Sequence, residues 1–160
     1  MSNLKLSIFL ILVLSFSSLL TSCSKPKEIK EVLIHQHHAP HGGTAVVLGN
    51  ELYHLEFVLD SQARTLTAYV LDSEMENFVR IEQSTLELQI TSHSSQIPLV
   101  LNAIENSATG EKQGDTSEFQ CTSDFFSKTT AFDAVIKLIK VNNHTFSEVK
   151  FNFPYGNDRD

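Results

Sequence analysis

The chain has 160 residues, a net charge of −7 and no tryptophan. That length holds one domain with a modest core and not two. The acidic balance makes the domain surface repel nucleic acid and anionic lipid, so neither is an expected partner of it.

At the start, one positive charge at Lys5 precedes an apolar run from Leu6 to Leu14, followed by small polar residues. This order predicts a secretory signal peptide over residues 1–22, since the run falls short of the roughly 20 residues that span a bilayer. Leu20-Thr21-Ser22-Cys23 resembles a bacterial lipobox, which implies cleavage before Cys23 and acylation of that residue (thioether diacylglycerol plus an amide-linked chain such as palmitate). Each buried methylene contributes about 0.8 kcal/mol, so two or three chains anchor stably. With Ser24 rather than aspartate after the cysteine, the same resemblance implies, in a two-membrane bacterium, an outer-membrane anchor facing the periplasm. Loss of residues 1–22 removes Lys5 and no acid, shifting the charge from −7 to −8. With Cys23 lipidated, Cys121 has no partner in the chain, and its half-apolar neighbourhood "EFQCTSDFF" predicts a buried small hydrophobe.

Residues 23–40 form a lipidated, histidine-containing tether restricted by Pro26 and Pro40. After Pro40 the pattern becomes period two. "TAVVL" predicts a buried strand and Gly49-Asn50 a turn. "ELYHLEFVLD" places Tyr53, Leu55, Phe57 and Leu59 opposite Leu52, His54, Glu56 and Val58, and "TLTAYVLD" alternates in the same way. "NFVRI", "STLELQIT" and "QIPLVLNAI" read as further strands, the last an edge or bulged strand because of Pro98. Residues 105–118 form one long loop, and "SDFFSK" a helical turn capped by Ser123 or Asp124. "FDAVIKLIKV" also suits helical spacing at Val135, Ile136 and Ile139, but its β-branched content favours a strand. It pairs with "TFSEVKFNF" across Asn142-Asn143-His144. The fold class is therefore all-β: a single antiparallel β-sandwich, immunoglobulin-like in general architecture, over residues 41–155, with a polar tail at 156–160.

No nucleophile elbow, phosphate loop, dinucleotide fingerprint or His-Glu-x-x-His helix is present, so the sequence predicts no enzyme. The unusual resource is histidine: "HQHHAPHGG" holds four of the chain's seven. His35 and His37 project to one side of an extended segment, while His38-Ala39-Pro40-His41 is a turn candidate that brings His38 and His41 together. A set of His35 or His37 with His38 and His41, completed by His54 or Glu56 from the neighbouring strand, suits zinc, copper(II) or nickel(II). The plainer alternative is a polar tether, with His54 and Glu56 a hydrogen-bonded surface pair. Asp72, Glu74 and Glu76 read as a solvated acidic turn with at most a loose hold on a hard cation.

The stretch "HAPHGGTAVVLGNELYHLEFVLDSQARTLTAYVLDSEMENFVRI" resembles a domain of small bacterial envelope lipoproteins, similar to the domain ahead of the adaptor subunits of heavy-metal efflux pumps. The resemblance covers residues 38–157, its most specific pieces being His41-Gly42-Gly43 and the "YVLD" strand ending at Asp72. It implies a β-sandwich, an envelope setting and an association with metal. The chain departs from the adaptors in having no coiled-coil hairpin or lipoyl-like half-motifs, and in reading Ser73-Glu74 where the related segment often has Gly-His. The expected function is a lipid-anchored, non-enzymatic protein that binds or buffers a transition metal weakly through residues 35–41, accessory to efflux or homeostasis. The alternative is an interaction module that holds an envelope protein partner at a sheet edge or the 105–118 loop, with the histidines as linker.

Overall fold

The computed structural model describes residues 38–92 and 95–157. The expected signal peptide, Cys23, the tether with His35 and His37, His93 and residues 158–160 lie outside the described residues. The described residues form eight strands: β1 (Thr44–Leu48), β2 (Tyr53–Asp60), β3 (Thr65–Leu71), β4 (Thr85–Ser92), β5 (Ser95–Ala103), β6 (Glu118–Thr122), β7 (Phe132–Val141) and β8 (His144–Phe153). They form one antiparallel sheet in the order β1-β2-β3-β6-β5-β4-β7-β8. A 3-10 turn at Asp124–Ser127 is capped by Ser123, whose hydroxyl accepts from the Phe125 N–H, as the turn chemistry predicts.

The fold class is all-β, an antiparallel sandwich whose two layers stay joined. One layer is β1-β2-β3-β6 and the other β5-β4-β7-β8. Pairing between β5 and β6 is confined to Asn102 with Gln120 and Ala103 with Phe119. At the opposite seam, the segment after β8 docks on β1. Asn157 accepts from Val47 N at 2.7 Å and donates to Val47 O at 3.2 Å, standing in for a strand neighbour. Gly156, with φ +76°, lies so close to Ala45 O that any β-carbon would overlap it. Between the layers Phe57 stacks on Phe151 with ring centroids 4.7 Å apart. Leu55, Leu66, Leu86, Leu88, Ile90, Leu101, Phe119 and Ile136 fill the rest of the core.

Two departures from the sequence pattern have physical causes. "NFVRI" is not a strand: Phe78 bridges Leu71 and Ile81 bridges Thr116 as isolated contacts. Val79 N donates to Val70 O and Asp72 N to Asn77 O, so the segment turns back antiparallel beside the end of β3 for a single residue pair and goes no further. In β7 the buried positions switch from Phe132, Ala134 and Ile136 to Ile139 and Val141, and Leu138 turns outward. The switch falls where Glu148 of the partner strand has φ +52°, a left-handed residue that strengthens local twist. This change of phase is the source of the helix-like spacing in "FDAVIKLIKV".

Pro98 sits in β5, which has neighbours on both sides in the sheet order. Yet residues 95–101 pair with β4 alone, so this half of the strand has an open edge and loses nothing by the missing proline N–H.

Candidate functional site

The outer face of β1-β2-β3-β6 carries the polar residues of interest. Strand register sets Glu56 of β2 opposite Tyr69 of β3, and Tyr69 opposite Glu118 of β6. Directly opposed residues share a face, so the three form a row: acid, phenol, acid. Residues 38–43 and 72–81 fold over this face. As a result His54 and Glu56 are both fully buried rather than at the surface, and they bond elsewhere instead of to each other.

His41 is the centre of the cluster. Gly42 N donates to Ala39 O at 3.0 Å, closing a turn over residues 39–42, one residue later than the turn expected from the sequence. The turn drops the His41 ring onto Tyr69, with centroids 4.1 Å apart and planes 17° from parallel. Phe78 flanks both rings at 5.8 and 6.0 Å. Glu56 Oε1 accepts from the His41 and Gly43 backbone N–H groups, each at 2.8 Å. Its Oε2 accepts from His41 Nδ1, also at 2.8 Å. A buried carboxylate holding two backbone donors and an imidazole is well satisfied. Gly43 is required here, because a β-carbon would come within 2.5 Å of Phe57 O.

This arrangement fixes the ring and its tautomer. A carboxylate accepts only, so Nδ1 carries a proton, and in the neutral ring Nε2 keeps its lone pair. The His41 side chain is 38% exposed, and among the described residues Nε2 has no hydrogen-bond partner. A carboxylate bonded to Nδ1, with Nε2 left to another partner, is the arrangement of metal-ligating histidines. Glu56, expected as a ligand, is therefore placed to orient His41, both its oxygens being engaged. His54 is held apart, its Nδ1 3.1 Å from Asp72 O. His38 is exposed at the mouth of the turn. Among the described residues no three His, Cys, Asp or Glu side chains are gathered to hold a metal ion.

Tyr69 and Glu118 feel this surrounding. Burial, then the charges of Glu118 and Glu56, push the Tyr69 hydroxyl pKa up. Burial, then Glu111, raises that of Glu118, and His41 acts in the opposite direction. The Glu118 carboxylate, half-buried, accepts no hydrogen bond among the described residues. It is the residue that sequence reasoning missed, because nothing in "GDTSEFQ" marks a strand beginning at Glu118.

The other candidates resolve into structural roles. Asp72 Oδ1 accepts from the Glu76 and Asn77 N–H groups and its Oδ2 from the Asn77 amide at 2.7 Å. Burial raises the Asp72 pKa, but these bonds outweigh it and leave the group below its ordinary value. The 105–118 loop closes around Glu111, which accepts from Ser117 N at 2.9 Å and from the hydroxyls of Ser117 and Thr109. Arg80 lies over it and donates to Thr109 O at 2.6 Å. Cys121 packs half-buried against the core, and burial pushes its thiol up to about 11, which makes it a poor nucleophile at neutral pH. No family model, curated protein or solved structure matches this chain.

Proposed function

We propose that this protein is a lipid-anchored, non-enzymatic component of a bacterial envelope that binds or buffers a divalent transition metal through residues 35–41, with His41 as the anchoring ligand. The observation that carries this reading is the Glu56 clamp. A fully buried carboxylate holds the turn's backbone through one oxygen and the His41 imidazole through the other, a constraint that a simple linker histidine does not require. Imidazole with oxygen co-ligands and no thiolate suits zinc, copper(II) or nickel(II). The sequence resemblance to envelope lipoproteins and to segments ahead of metal-efflux adaptors supports the same setting, as an accessory to efflux or homeostasis.

Calorimetric titration of the protein with each of the three ions tests it, beside a variant with His35, His37, His38 and His41 changed to alanine. Micromolar binding that disappears in the variant is the expected result. Equal, weak binding by both proteins overturns it. The second reading, an interaction module, is favoured by the open edge of β5 over residues 95–101, next to which Val100 is 48% exposed. It predicts that function survives loss of the histidines and is lost on changing that edge.

A further inference from the structure

The row Glu56-Tyr69-Glu118 has a consequence beyond the orientation of His41. Adjacent strands lie about 4.8 Å apart, so the His41 ring, lying over Tyr69, is set between two acids. Its Nδ1 is taken by Glu56 on one side. On the other side stands Glu118, opposite Tyr69 in the register, a half-buried carboxylate that accepts no hydrogen bond among the described residues. An acid left without donors beside a lone-pair nitrogen lacks what a cation would supply.

We infer that Nε2 of His41 and the carboxylate of Glu118 form a two-ligand seat for a divalent transition-metal ion on the outer face of β2, β3 and β6. This rests on the metal-binding reading above and names its protein floor. Tyr69 supplies the platform under the imidazole, and Phe78, 50% exposed, forms an apolar wall beside it. The remaining coordination positions fall to water or to His38 on the turn ahead. A mixed nitrogen–oxygen seat favours zinc, copper(II) and nickel(II) over calcium or magnesium, which take oxygen ligands alone. It also disfavours copper(I), which selects sulfur. Glu118 is thereby a metal ligand, and Glu56 a positioning residue.

The test uses the full chain purified in detergent, titrated with zinc and read a second time by copper(II) electron paramagnetic resonance. Glu118→Gln keeps the shape and removes the charge; Glu118→His replaces the oxygen ligand by a nitrogen. Loss of a ligand costs more than loss of an outer-sphere partner, which alters affinity roughly 10–100-fold, so E118Q is expected to weaken zinc binding at least about tenfold, with a metal-free melting temperature no lower than the parent's. E118H is expected to restore binding and to add one nitrogen coupling to the copper spectrum. Should E118Q bind as the parent does while the four-histidine variant loses the metal, the seat is wrong and the broader reading stands. Binding unchanged in the four-histidine variant would overturn both.

Discussion

At the scale of single residues, two carboxylates show how burial and donors decide a side chain's work. Glu56 holds two backbone N–H groups and an imidazole, and Glu111 one backbone N–H and two hydroxyls. Glu56→Gln keeps one oxygen for the backbone donors but turns an NH2 group toward His41 Nδ1. The ring then adopts the Nε2–H tautomer and loses the lone pair that would face a metal. Zinc affinity is expected to fall about 10–100-fold, which parallel titrations of parent and variant would read. Glu111→Ala strands the donors of Ser117 and Thr109 and is expected to cost about 1–3 kcal/mol in urea unfolding.

Acidity follows the same logic. For Glu111, burial raises the pKa, but the Ser117 and Thr109 bonds and Arg80 lower it further, so the folded value lies under the ordinary 4.5. A depressed folded pKa stabilises above the unfolded value, and that contribution is lost as pH falls through the folded one. Unfolding followed below pH 4.5 should therefore show stability declining less steeply in Glu111→Gln than in the parent. Glu118 has the opposite sign: burial, then Glu111, raises it, so its share of stability is lost as pH rises through the raised value.

At the scale of elements, the alternation in "TLTAYVLD" and "STLELQIT" was legible because each strand keeps one phase against the core. β6 was not. Glu118–Thr122 has five residues, only two of them apolar, and its place beside β3 depends on a crossover that skips β4 and β5. Glu118 was hidden with it, since opposition to Tyr69 is a property of that pairing alone. His41 and Glu56 were visible as candidates, yet the division of labour between them was not. It follows from residues 38–43 folding over a strand face that alternation alone leaves wet. The seam between β1 and the tail offers a direct check. Asn157→Ala removes both bonds to Val47. The variant is expected to lose about 0.5–1.5 kcal/mol, with faster hydrogen exchange at the Val47 amide.

At the scale of the whole molecule, the sandwich is a rigid support for one oriented histidine. The core face of β2 packs Leu55 and Phe57 between the layers, while its other face buries His54 and Glu56 beneath the segments that cover it. A metal that binds only the folded state must stabilise it by mass action, by about 2.7 kcal/mol at a hundredfold excess over Kd. Zinc should therefore raise the melting temperature of the parent and leave that of the four-histidine variant where it was. The most direct test is long-range nitrogen–proton NMR of the imidazole of His41 at neutral pH, with and without zinc. The account predicts an Nδ1–H tautomer in the metal-free protein and a zinc-induced shift confined to Nε2. An Nε2–H tautomer, or an imidazole spectrum that zinc leaves unchanged, would contradict it.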